Sequence, residues 1–155
     1  MDITYREAMP LDLPVLVSIE RTLFADSPWS MGQFKEEFSG IPKTRYFIVA
    51  LDSKKQIVGY AGVMVVSSGV DADVLTVAVL PEARRQGIAK HFMDSLEKWS
   101  QMRAAPSMML EVGVTNTNAI SLLPRHVFLI EEEHGDVVQL AVAGLNVKRS
   151  VGVMW

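Results

Sequence analysis

Residues 84–89 read Arg-Arg-Gln-Gly-Ile-Ala, so that two cations and a glycine stand between an apolar strand and an amphipathic helix. The strand is predicted by the short β-branched run at residues 74–80, which Pro81 ends. The helix is predicted from Ile88 onward, because its apolar residues recur at helical spacing. A helix begins with unpaired backbone N–H groups and the positive end of its dipole, which together favour an anion such as phosphate. The alternative is an ordinary strand–helix turn with solvated arginines.

A second candidate for chemistry is Glu111, which interrupts the apolar run Met-Met-Leu-Glu-Val at residues 108–112. A carboxylate inside a strand loses hydration energy unless it is paired or reaches water. Burial would raise its pKa towards neutrality, which suits a general base at pH 7. The alternative is a glutamate on the exposed face of an edge strand. Among the histidines, His91 and His134 are expected at the surface.

Alternating strands and helices must position these candidates. Strands are predicted at residues 3–6, 46–51, 57–67, 71–80 and 108–112, and helices at 11–24, 31–38, 88–103 and 115–123. Ser30 is expected to cap the second helix, and Thr115 or Asn116 the fourth. This order predicts an α/β fold with a mixed sheet, antiparallel first strands and a parallel last strand–helix–strand unit. Two further strand-like runs follow at residues 137–143 and 146–154.

Composition limits the class of protein. The chain has 155 residues, of which 49% are hydrophobic, with a formal net charge of −3 and no cysteine. We expect one domain over residues 1–155 and no direct binding of nucleic acid, which favours basic proteins. The lack of cysteine excludes disulfides and thiolate metal sites, and no metal is expected. The N-terminus does not read as a signal peptide, and no apolar run approaches the roughly 18–20 residues that span a bilayer, so we expect a cytoplasmic protein with no membrane partner.

The element order, with Arg84-x-x-Gly87-x-Ala89 after the fourth strand, resembles the GCN5-related N-acetyltransferase (GNAT) superfamily. The shared residues are Pro28-Trp29-Ser30, Gly59-Tyr60-Ala61-Gly62, Val77-Ala78-Val79, Pro81, residues 84–89, and Leu110-Glu111-Val112 followed by Asn116, Ala119, Ile120 and Leu122. The resemblance covers residues 1–123. It is closest to the enzymes of this superfamily that acetylate the N-terminal alanine of a ribosomal protein. It implies a central sheet, flanked by helices, whose parallel fourth and fifth strands splay apart.

The resemblance implies acetyl-CoA as the acetyl donor. The pyrophosphate would lie on the backbone amides of residues 85–90, and the pantetheine arm would pair like an extra strand with the exposed backbone of residues 77–79. Asn116 matches a residue that the family uses on the coenzyme, although it could equally be only a helix cap. The implied donor-binding residues are Val77, Ala78, Val79, Arg84, Arg85, Gln86, Gly87, Ile88, Ala89, Lys90 and Asn116. Glu111 matches the general base, which deprotonates the incoming amine directly or through water.

The last part of the chain departs from the family pattern. Leu123 stands where the family has the tyrosine that reprotonates the CoA thiolate, and Pro124 cuts the predicted helix short. Val127 replaces a glycine, and Gly113 replaces an arginine. Residues 124–155 are therefore atypical, and an altered reading frame near residue 123 is one hypothesis for this abrupt change.

Three functions compete at this point. The leading one is an enzyme that acetylates a protein N-terminus, specifically the alanine of a small-subunit ribosomal protein. The second keeps the chemistry but takes a small-molecule amine or a lysine as acceptor. The third is a non-catalytic acyl-CoA-binding or interaction module, which the loss of the tyrosine favours. Activity does not require that tyrosine, because water can reprotonate a thiolate of pKa near about 8.5, and His126 or Tyr60 could also donate. The sequence leaves the oligomeric state open.

Overall fold

A mixed β-sheet runs through the chain. The computed structural model describes residues 2–25, 27–113, 127–134, 137–142 and 152–154, with side-chain surroundings up to residue 109. The strands are β1 (Thr4–Glu7), β2 (Arg45–Leu51), β3 (Ile57–Met64), β4 (Ala72–Val79), β5 (Met108–Gly113), β6 (Val127–His134), β7 (Val137–Val142) and β8 (Gly152–Met154). The helices are α1 (Leu13–Leu23), α2 (Met31–Phe38) and α3 (Ile88–Met102). The strand order is β1-β2-β3-β4-β5-β7-β6, and β8 pairs with β4.

The sheet changes from antiparallel to parallel pairing at β4. Strands β1 to β4 are antiparallel neighbours, as predicted. The turn between β3 and β4 contains Gly69 at φ +83°, a left-handed conformation that favours glycine. Strands β4 and β5 are parallel and pair only at Ala72 with Met108 and at Asp73 with Met109. The predicted parallel, splayed pair is therefore confirmed.

Local side-chain hydrogen bonds fix where the first two helices begin. At α2, the Ser30 hydroxyl accepts from the backbone N–H of Gln33 at 3.2 Å, and the Gln33 side chain accepts from the N–H of Ser30 at 2.7 Å. This reciprocal capping box confirms the predicted cap at Ser30. Before α1, the Asp12 carboxylate accepts from the N–H of Met9 at 2.7 Å and from two guanidinium nitrogens of Arg6 at 2.8 and 2.9 Å. Asp12 thereby joins the start of α1 to strand β1.

Two apolar cores cover the two faces of the sheet. Helix α3 packs Phe92 and Leu96 against the face that carries Val77 and Val79. Helices α1 and α2 pack against the other face, which carries Ala78. Successive strand residues point to opposite faces, so residues 77–79 contribute to both cores. Because both faces of β4 are buried, other chain segments can reach this strand only by pairing with its backbone edges.

The observed elements differ from the predicted ones mainly near the C-terminus. Strand β6 was not predicted, because the acidic residues 131–133 do not alternate with apolar ones. It pairs with β7, and the register shifts between Ile130 and Glu133. Strand β7 confirms the run predicted at residues 137–143, and β3 ends three residues earlier than predicted. The fourth predicted helix, with Asn116, Leu123 and Pro124, lies outside the described residues. No helix in the described part of the chain is long and apolar enough to cross a membrane.

Candidate functional site

The turn between β4 and α3 has a backbone that only a few residue types adopt. Gly87 caps α3 at φ +74° and ψ 12°, and Arg85, two residues earlier, also has a positive φ of 62°. Gly87 has no side chain that could cap this end of the helix. The N–H groups of its first turn therefore have no partner within the helix, and the dipole is positive there. This is the arrangement expected of an anion site at a helix N-terminus.

The predicted donor residues in this turn divide into an outward and an inward set. Arg85, Gln86, Gly87 and Lys90 are exposed, whereas Ile88 and Ala89 are buried in the core under α3. The buried pair anchors the helix to the sheet, and the exposed set leaves two cations and several backbone amides at the surface. An ideal Cβ on Gly87 would meet none of the described residues within 4 Å, so that part of the chain leaves the space before the helix open. These residues fit a phosphate group.

Arg84 is not a fully solvated arginine, as it would be in an ordinary strand–helix turn. Its side chain is half-buried, and Nε donates a hydrogen bond to the carbonyl oxygen of Val79 at 3.2 Å. This bond ties the turn to the last residue of β4. Arg84 therefore shapes the turn while its positive charge stays near the start of α3.

Residues 77–79 of β4 were expected to have an exposed backbone for the pantetheine arm, but residues 77 and 78 are paired on both edges. One edge of β4 pairs with β3, as the hairpin requires. The other edge pairs in parallel with β8, with Thr76 opposite Gly152, Val77 opposite Val153 and Ala78 opposite Met154. An unpaired strand edge presents hydrogen-bonding groups to any extended chain, and the C-terminal residues of the same chain fill it here.

Glu111 lies in an interior strand of the sheet. Strand β5 pairs with β4 at its first two residues and with β7 from Leu110 to Gly113, where Glu111 is opposite Gln139. By its place in the strand order β5 is not an edge strand, although Glu111 itself lies beyond the residues that pair with β4. The structure gives no surroundings for the Glu111 side chain, and Asn116 lies outside the described residues, so their roles stay predictions.

A buried polar cluster beneath β4 was not predicted as a site. Glu20 of α1 is only 3% exposed and accepts hydrogen bonds from the backbone N–H of Trp29, at 3.1 Å, and from the hydroxyl of Tyr60. Burial raises the pKa of Glu20. It also raises the pKa of Tyr60, and the Glu20 charge raises it further. The signal was present in the sequence, because Glu20 continues the helical spacing of the apolar residues Leu13, Leu16 and Val17.

Of the two alternative proton donors, Tyr60 lies among the described residues and His126 lies outside them. Tyr60 is fully buried, and its hydroxyl proton is donated to the Glu20 carboxylate. His91 is exposed, as predicted, and stacks on Tyr5 with ring centroids 3.5 Å apart. The Tyr60 hydroxyl is therefore not free to protonate a leaving group at the β4 edge.

Known proteins share both the sequence pattern and the fold. The model of the acetyltransferase (GNAT) family matches residues 14–128. The ribosomal protein bS18-alanine N-acetyltransferase of Escherichia coli K12 is 31% identical over 115 residues, which cover 72% of this chain and 70% of that enzyme. The crystal structure of the PaiA N-acetyltransferase from Thermoplasma acidophilum in complex with coenzyme A has a TM-score of 0.76 at 17% identity, covering 92% of this chain and 99% of that one. The crystal structure of the ribosomal-protein-S18-alanine N-acetyltransferase from Escherichia coli has a TM-score of 0.69 at 21% identity, covering 96% of each chain.

Proposed function

Because the chain belongs to the GNAT acetyltransferase family, we propose that it transfers the acetyl group of acetyl-CoA to the N-terminal alanine of a small-subunit ribosomal protein. The observation that carries the proposal is the turn before α3. Gly87 in a left-handed conformation, an uncapped helix N-terminus and open space occur together there. This combination is suited to the pyrophosphate of a nucleotide-bearing donor.

The donor's phosphates would be held by backbone amides and by charge. The amides of residues 85–90 supply hydrogen-bond donors, and Arg85 and Lys90 supply exposed positive charge. A single helix dipole contributes only about 0.3–1 kcal/mol at an exposed site, so the amides and the cations must act together. Because exposed charges are screened by salt, donor affinity should fall as ionic strength rises.

Glu111 is the proposed general base. The neutral amine nitrogen attacks the thioester carbonyl carbon, and Glu111 accepts the proton that the nitrogen loses, directly or through water. The carbon–sulfur bond then breaks, and its electron pair leaves with the CoA sulfur as a thiolate. With Leu123 at the position of the family's tyrosine, water supplies the proton that converts the thiolate to the thiol.

The choice of acceptor rests on the named relative. The Escherichia coli enzyme that this chain matches at 31% identity acetylates, by its name, an alanine of ribosomal protein bS18. A peptide N-terminus of the same kind is therefore the proposed acceptor, and the cytoplasm the proposed compartment. A small-molecule amine or a lysine is the competing acceptor for the same chemistry.

The test is release of CoA in the presence of acetyl-CoA and candidate acceptors. We expect peptides beginning with Ala-Arg to be acetylated faster than free amines or lysine side chains. Glu111→Gln should keep its acetyl-CoA affinity and lose about 10²- to 10⁴-fold in turnover, the usual contribution of a general base. Glu36→Gln, which removes the same charge from an exposed position on α2, is the matched control and should turn over normally. Binding of acetyl-CoA without turnover of any acceptor would favour a non-catalytic acyl-CoA-binding module instead.

A further inference from the structure

The C-terminal strand β8 lies where an extended ligand would bind. It pairs in parallel with residues 76–78 of β4 and also contacts β5. Strands β4 and β5 pair with each other only at their first two residues, so β8 follows at the point where they separate. The opening between the two parallel strands is thus filled by three residues from the end of the same chain.

One strand edge can pair with only one extended chain at a time. Neighbouring strands lie about 4.8 Å apart and share one row of N–H and C=O groups. Residues 76–78 of β4 use their other edge for β3, so no second row is available to them. Any ligand that adds to this edge as a strand must therefore displace β8.

We infer that the chain's own C-terminal strand competes with the acyl donor for the β4 edge, so that β8 must leave before the pantetheine arm can pair there. The inference rests on the proposed function, because it takes the pantetheine arm as the second occupant. The pyrophosphate turn at Gly87 lies beyond the segment that β8 covers. The donor could therefore engage its phosphates first and displace β8 afterwards.

The pairing of β8 is short enough to be reversible. It involves three residues in a parallel register, which is the less stable kind of pairing. The apparent affinity for the donor is the intrinsic affinity multiplied by the fraction of molecules whose β4 edge is free. If β8 occupies the edge in about nine molecules of ten, its removal should tighten acetyl-CoA binding about tenfold.

The test is a proline substitution in the full-length chain. Val153→Pro removes the central N–H of β8 and disfavours pairing within a sheet, whereas Val153→Ala keeps that N–H and is the matched control. Hydrogen–deuterium exchange at residues 76–78 reports the pairing without any ligand. Calorimetric titration with acetyl-CoA reports the affinity.

We expect Val153→Pro to speed exchange at residues 76–78 and to tighten acetyl-CoA binding about tenfold, with Val153→Ala close to the unaltered chain. Faster exchange with unchanged or weaker affinity would overturn the competition and leave the proposed function standing. Unchanged exchange in Val153→Pro would overturn the pairing itself. If none of the three chains bound acetyl-CoA, the proposed function would fail, and the competition with it.

Discussion

The proposed role of the Gly87 turn can be tested by comparing two valine variants, one at Gly87 and one at Gly69. Both add the same kind of backbone strain, but at different places in the protein. Gly87 and Gly69 have φ values of +74° and +83°, and an ideal Cβ on either one would meet nothing within 4 Å. Gly69 lies in the β3–β4 turn, at the opposite end of β4 from Gly87. Valine at either position therefore adds left-handed strain, and its Cβ would contact none of the residues that the structure describes.

The strain has a known size. A residue with a Cβ loses roughly 1–2 kcal/mol in the left-handed region, and a β-branched residue is an outlier there. If the turn keeps its conformation, this free energy is lost from folding in both variants. If the Gly87 turn relaxes instead, its amides no longer point at the donor, and the free energy is lost from binding. A loss of about 1.4 kcal/mol corresponds to a tenfold weaker affinity.

We expect Gly87→Val to bind acetyl-CoA at least about tenfold more weakly, because the added side chain also projects into the open space proposed for the pyrophosphate. Gly69→Val should bind normally while losing a similar or larger free energy of unfolding. Calorimetric titration measures the affinity, and urea unfolding measures the stability of each variant. A folded Gly87→Val protein with unchanged affinity would refute the assignment of this turn to the donor. Equal losses of affinity in both variants would show that strain alone, and not the site, is responsible.

Three further predictions concern the missing acid and the buried carboxyl groups. Leu123→Tyr should raise the acetylation rate, most strongly below about pH 8, where the leaving thiolate benefits from a proton donor. Adding Pro124→Ala should raise the rate further. If both variants bind acetyl-CoA normally and neither gains activity, the non-catalytic alternative is favoured. Burial raises the pKa of Glu20, so the folded protein holds this proton more tightly than the unfolded chain does. The free energy of unfolding therefore falls as pH rises above the pKa of Glu20 in the unfolded chain, about 4.3. Glu20→Gln should therefore gain stability relative to the unaltered chain as pH rises above the unfolded pKa, and a pH-independent difference in urea unfolding would contradict this. The hydrogen bonds from Arg6 lower the pKa of Asp12. Asp12→Asn should therefore lower the free energy of unfolding by about 1 kcal/mol near pH 7, and this difference should disappear as pH falls through the lowered pKa. Urea unfolding of both proteins at pH 7 and at low pH measures it.

Much of the fold could be predicted from short stretches of sequence. Hydrophobic periodicity within about 11–18 residues predicted the order of strands and helices from β1 to β5, and the same local signal predicted β7. The cap at Ser30 could be predicted because a helix cap is a local feature, and its observed partner Gln33 is only three residues away. The turn proposed to bind an anion could be located for the same reason, since a helix N-terminus is a local property of its first residues.

The contacts that decide how the site works depend on residues far apart in the chain. Glu20 and Tyr60 are 40 residues apart, and nothing local to α1 specifies the hydroxyl that Glu20 accepts. Strand β8 pairs with a segment more than 70 residues earlier, and a strand edge accepts any extended chain that reaches it. Periodicity predicts that a segment is a strand but does not identify its partner. The sequence alone therefore predicted an acetyl donor site at the start of α3, and only the tertiary structure revealed that the neighbouring β4 edge is occupied by the chain's own C-terminal strand.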